Sequence, residues 1–143
     1  MQKPFLKYGG SIFIKNDLKR LKKWKSLKDD VYNCYKIIAG GLCEQNWPPP
    51  YNFGGGLITE TSEFLCFKER QAITNPFLSP SEGARIIYGL TKKSKVFLPL
   101  IVFGACEEKE TYKINNKKFS LTSSNFAKII NEKLKNFDLP KTD

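Results

Sequence analysis

The stretch FLCFKERQAITNPFLSPSEGARIIYGLTKKSKVFLPLIVF, Phe64–Phe103, decides the fold. It reads as three consecutive strands. Phe64–Ile73 is the first, the proline-containing Asn75–Ser81 is a loop, and Gly83–Thr91, rich in β-branched residues, is the second. Lys92–Lys95 then turns into Val96–Phe103, so the last two strands form an antiparallel hairpin with a four-residue basic turn. Pro99 cannot donate to a ladder, which predicts a bulge or a position facing an edge. The first strand carries Lys68 and Arg70, and the second carries Arg85. Lys68 and Arg70, at i and i+2, point to one face of their strand. Arg85 shares that face if the register allows.

Upstream, Pro4–Tyr8 reads as an edge strand, broken by Gly9 and Gly10. Ser11 can cap a helix whose Ile14, Leu18 and Leu21 recur at i, i+4 and i+7. Its opposite side carries Lys15, Lys19, Arg20, Lys22 and Lys23. A second helix is expected from Ser26, with Asp29 completing a weak capping box and Asp29 and Asp30 against the positive helix end. Its apolar stripe is Leu27, Val31, Cys34, Tyr35 and Ile38, and Gly40-Gly41 ends it. Together the two read as a basic helical hairpin. Residues 42–62, with Pro48-Pro49-Pro50 and Gly54-Gly55-Gly56, read as a long loop with one short strand near Leu57–Thr59. That loop is either a lid packed by its own aromatics or a binding loop.

Downstream of Gly104 the chain is polar and reads as irregular up to a terminal helix over 122–137. Phe126, Ile129, Ile130, Leu134 and Phe137 share one face of that helix, capped by Ser123 or Ser124. The face either covers the sheet or is the surface that a partner displaces. The expected architecture is therefore α+β in a single domain spanning 1–143: a small antiparallel sheet of three to four strands, packed against the N-terminal helical hairpin, with a C-terminal helix.

Composition bounds the function. The chain has 143 residues, a formal charge of +10 and no histidine, so acid–base chemistry falls to other side chains. Hydrophobic residues at 41% exclude a disordered basic tail. The charge favours nucleic acid, an acidic protein or an anionic membrane as partner. No apolar run approaches the ~18–20 residues of a membrane span, and MQKPFLKYGG lacks a signal peptide's apolar core. Cysteines 34, 43, 66 and 106 form no C-x-x-C pair, and no histidine completes a ligand set. The expectation is a cytoplasmic protein with reduced thiols, no metal and no cofactor; two disulfides in a secreted chain are the alternative.

Two stretches, taken in this order of elements, resemble the RelE/ParE family of small bacterial toxins. FIKNDLKRLKKWKSLKDDV (Phe13–Val31) is similar to the family's opening helix, an aromatic followed by a KDLKKL-like run and a second helix. KERQAITNPFLSPSEGARIIY (Lys68–Tyr88) is similar to a family pattern of K-I-R, an Ala-Ile pair, a variable loop and G-K-S-G-G-x-R-V-I, with spacing kept from Lys68 through Arg85. The resemblance covers roughly residues 11–104. It implies a RelE-like fold with a concave basic surface. It also implies one of two activities: cleavage of messenger RNA in the ribosome by metal-free attack of the 2′-hydroxyl, or, in the ParE-like branch, inhibition of DNA gyrase without cutting RNA. In both branches a cognate antitoxin is the partner.

Carried onto this chain, the resemblance gives Lys68 the role of base and Arg70 and Arg85 the roles of phosphate clamps. A lysine crowded by cations can act as base, and arginine's permanently charged fork suits a clamp. Tyr112 matches, by its distance from Gly104, a family tyrosine that stacks on a base. Lys15, Lys19, Lys22 and Lys23 complete the expected RNA-binding surface. The chain also departs from the pattern. Gly104-Ala105-Cys106, followed by Glu107 and Glu108, stands where family members carry a basic residue, and Pro80 and Glu82 replace a lysine and a glycine of the loop. The leaving-group acid is thus unassigned. The plain alternatives are a solvated sheet face for the three strand cations, a degenerate toxin that acts by protein binding, and an RNA-binding domain unrelated to toxins.

Overall fold

A computed structural model describes residues 4–135. Strand β1 (Lys7–Tyr8) leads through a 3-10 turn, Ile12–Ile14, into helix α1 (Lys15–Arg20) and then α2 (Leu27–Gly40). Strands β2 (Leu57–Glu60), β3 (Phe64–Gln71), β4 (Ala84–Thr91) and β5 (Val96–Gly104) follow. A hairpin of β6 (Thr111–Ile114) and β7 (Lys117–Ser120) precedes helix α3 (Ser123–Leu134). The main sheet has the order β1-β5-β4-β3-β2. Its strands are antiparallel except for β1, which runs parallel to β5. This enlarges the expected sheet of three to four antiparallel strands to five mixed ones, because the short β1 and β2 add an edge on either side.

Both faces of the sheet are covered, and the pleat decides what each face carries. Leu65 and Phe67 of β3 and Ile86, Tyr88 and Leu90 of β4 pack with Val31, Cys34, Tyr35 and Ile38 of α2. Their neighbours Phe64, Cys66 and Ile87 pack with Phe126, Ile129 and Ile130 of α3. The whole stripe read for α2 is buried. Each large apolar side chain so buried contributes about 1.5–3 kcal/mol. With both faces occupied, β4 and β5 are buried along their full length.

Pro99 sits beside the expected irregularity. Ile87 pairs with Ile101 but Tyr88 pairs with Pro99, so Leu100 is the extra residue. The bulge flips the alternation of β5. Leu98 and Leu100 face α3 before it, and Ile101 and Phe103 face α3 after it.

Several caps differ from expectation. The Ser26 hydroxyl does not close α2; it donates to Asp30 Oδ2 at 2.6 Å and accepts the Asn75 N–H at 2.7 Å. Buried Asp30 also takes the Thr74 hydroxyl and N–H, tying α2 to the β3–β4 loop. Thr122, one position before the expected serines, occupies the N-cap position of α3, and its side chain makes no capping bond there. Phe137 lies outside the described residues. The polar stretch after Gly104, expected to be irregular, contains the β6–β7 hairpin. The loop over 42–62 packs through its own aromatics: Phe53 meets Phe67 edge-on at 5.5 Å, and Trp47 Nε1 donates to the Lys92 carbonyl at 2.9 Å.

Candidate nucleic-acid interface

The register joins the three strand cations. Lys68 pairs with Ile87 and Arg70 stands directly opposite Arg85, so all three side chains leave the face that α3 covers. They do not converge in one open pocket. Arg70 is exposed at the end of β3. Lys68 is half-buried, its Nζ 5.4 Å from the centre of the Phe126 ring. Arg85 is only 3% exposed. Its Nε holds Glu108 Oε1 at 2.8 Å, while its terminal nitrogens donate to the carbonyls of Pro80 and Ser81 at 2.8 and 3.0 Å. Glu108 is therefore bound to Arg85, the residue expected to clamp phosphate. A phosphate at Arg85 would have to replace it.

The helix cations divide by direction. Lys15, Lys19, Lys22 and Lys23 are exposed, as are Lys25 and Lys28. Arg20 is exposed as well, but its guanidinium is held by Asp17, which stands beside it on the apolar stripe of α1. Asp17 is fully buried and closes the edge of β5 beyond the two residues that β1 pairs. Its Oδ2 accepts the Val102 N–H at 2.9 Å, and Arg20 donates to the Val102 carbonyl at 2.7 Å. Side chains thus take the backbone groups that a further strand would take. Lys133 of α3 adds a bond to Asp17 Oδ2 at 3.1 Å and one to the Phe13 carbonyl at 2.7 Å. Glu107 binds Arg20 at 2.8 Å from the outside.

Tyr112 belongs to this network. It is 4% exposed, with its ring between Arg20 at 5.3 Å and Lys133 at 5.2 Å. In this position it presents no open face to a base. Burial, with Asp17 beside it, pushes its hydroxyl far above the usual phenol range. Burial also lowers Lys133, against the pull of Asp17. Sequence reasoning missed this hub, although it left a signal. Asp17 falls at i+3 within the stripe Ile14, Leu18, Leu21, and Lys133 falls beside Ile129, Ile130 and Leu134.

A second polar cluster lies on the other face. The Tyr88 hydroxyl is buried without a hydrogen-bond partner among the described residues. It shares the underside of the glycine loop with Glu69, whose carboxyl burial pushes above its usual range. Burial raises the nearby Cys34 thiol to about 12. All four cysteines are free, and no group of three or more metal-ligating side chains is present among the described residues. No helix among them is long and apolar enough to cross a membrane.

An open groove of about 430 Å³ separates the β6–β7 hairpin from α1. Asn16 lines one side, and residues 113–118 line the other. It extends the basic surface of α1 onto an element that the sequence reading had left irregular. The chain matches no protein-family model, no curated protein and no solved structure.

Proposed function

We propose that this protein is a ribosome-directed toxin of RelE type, held silent by a cognate antitoxin and acting on messenger RNA. The observation that carries this reading is the register placing Lys68, Arg70 and Arg85 on one face, with Arg70 opposite Arg85. The order of elements supports a RelE-like assignment of the fold: an edge strand, two helices, an antiparallel run of strands and a terminal helix. In this reading Lys68 removes the proton of a ribose 2′-hydroxyl. The resulting oxygen attacks the adjacent phosphorus to form a 2′,3′-cyclic phosphate, and the 5′-oxygen of the next nucleotide leaves, taking a proton from water to become a 5′-hydroxyl. The arginines stabilise the charge that develops on the phosphorane. Arg85 does so by exchanging the Glu108 carboxylate for phosphate.

A second reading is favoured by the commitments of those same cations. Arg85 is already paired with Glu108, and Lys68 lies on Phe126. A face satisfied in this way suits a ParE-like or degenerate toxin that binds DNA gyrase or another protein without cutting RNA. Induction of the chain in a bacterium, beside an Arg70→Ala variant, separates the two. Arg70 is the informative position because it is exposed, so its loss leaves the fold intact. The RNA reading expects arrest of translation with cut messages, relieved by the substitution. DNA-damage signals with intact messages give the place to the second reading. Unimpaired growth removes both and leaves an RNA-binding domain unrelated to toxins.

A further inference from the structure

The β6–β7 hairpin sets Lys113 directly opposite Lys118. Like charges in that relation repel and destabilise a two-stranded ribbon. The turn makes the pair closer still. Asn115 and Asn116 both adopt positive φ, 50° and 63°, as a two-residue type I′ connection requires. Ile114 and Lys117 are then the hydrogen-bonded closing pair, and Lys113 and Lys118 the next, more closely spaced one. Neither lysine has a hydrogen-bond or ion-pair partner among the described residues. Three acids of the flanking segments are engaged elsewhere, Glu107 by Arg20, Glu108 by Arg85 and Glu132 by Lys117, and exposed Glu110, just before β6, pairs with neither lysine.

A local rule broken without internal compensation marks a place where the missing partner comes from outside. The groove beside the pair is lined by three lysines and three asparagines with Ile114, and of these Asn115 and Lys117 are held by Glu132, which leaves Lys113, Lys118, Asn16 and Asn116. Those groups supply donors matched to anionic acceptors. Asn16, across the groove, stands between exposed Lys15 and Lys19, and Lys19 follows it by one helical turn.

We propose that this groove holds the sugar–phosphate backbone of a single RNA strand, with Lys113 and Lys118 on either side of one phosphate. The phosphate turns one repulsion into two attractions. Asn16 and Asn116 donate to the neighbouring oxygens. The site lies apart from Lys68, Arg70 and Arg85 and gives the strand a second hold, so it rests on the RNA reading above.

The test is fluorescence anisotropy of the full chain with a labelled oligouridylate of about twelve nucleotides over a salt series. Lys118→Glu places opposite charges across the hairpin, so its melting temperature should rise while RNA affinity falls about tenfold at low salt. The slope of log affinity against log salt should shrink by about 0.7, the share of the one single-strand phosphate held between the two lysines. Lys93→Glu, the same charge change at an exposed position in the β4–β5 turn, should lose much less. Equal losses in the two variants overturn the groove and leave the RNA reading standing. No RNA binding by the unmodified chain overturns the groove, while the RNA reading then stands or falls with cleavage on the ribosome. The double variant Lys113→Gln, Lys118→Gln removes the charges without adding new ones. If it folds and keeps full affinity, the proposal is wrong.

Discussion

The hydroxyl of Tyr112 on β6 donates to Oδ1 of Asp17 on α1 across 2.6 Å, linking positions 95 apart in the chain. Through this one carboxylate, α1, β5, β6 and α3 are held together. A buried charge with several partners is costly to remove from one side, because the partners stay behind uncompensated. Asp17→Ala leaves the Tyr112 hydroxyl and the Val102 N–H without an acceptor. It also takes a carboxylate partner from Arg20, which keeps Glu107 and the Val102 carbonyl, and from Lys133, which keeps only the Phe13 carbonyl. The expected loss is about 3–5 kcal/mol of unfolding free energy, measured by urea denaturation. A loss below about 1 kcal/mol would mean that the network contributes little net stability.

Glu69 gives a pH dependence of definite sign. Burial raises its folded carboxyl above the ordinary 4.5. Between that value and the raised one, the folded chain binds more protons than the unfolded chain, so stability falls as pH rises through the window. Glu69→Gln removes the titration. The variant should melt higher than the unmodified chain at neutral pH and converge with it in acid. Thermal melts from about pH 4 to 8 check this, and a constant offset at every pH would contradict it.

Much of this fold was legible because it is written in short periods. The stripe Leu27, Val31, Cys34, Tyr35, Ile38 repeats at helical spacing, and all five residues are buried. The strands β3 to β5 are dense in branched and aromatic residues, and Pro99 announced its bulge. The hairpin was harder to see because its outward face is Lys113, Lys118 and Ser120 and only Tyr112, Ile114 and Phe119 alternate against them. Asn115-Asn116 was the turn signal. Which helix covers which face of the sheet depends on contacts far apart in sequence, and no local pattern states it. For the same reason Tyr112, placed by its distance from Gly104, looked open to a base, whereas the fold turns it onto Asp17. The shared face of Lys68, Arg70 and Arg85 was legible up to the register. The engagement of Arg85 with Glu108 was not, because it depends on how the turn after β5 folds back.

That engagement carries its own prediction. The Glu108 side chain is 42% exposed, but Arg85 is buried, so the pair both neutralises a buried guanidinium and occupies it. Glu108→Ala should lower the melting temperature, because buried Arg85 keeps only carbonyl acceptors, and raise RNA affinity several-fold, measured by the same anisotropy titration. Unchanged affinity would mean that Arg85 is a structural tie for the Pro80–Ser81 turn and contacts no phosphate.

In the function we propose, the face bearing Lys68, Arg70 and Arg85 acts on messenger RNA in the ribosome. The most direct test is a reconstituted translation reaction containing a labelled message, with and without ribosomes, read by mapping of message ends. The account predicts new ends with a 5′-hydroxyl that require ribosomes and vanish with Arg70→Ala. A message that stays intact on ribosomes at protein concentrations that stop growth would contradict it.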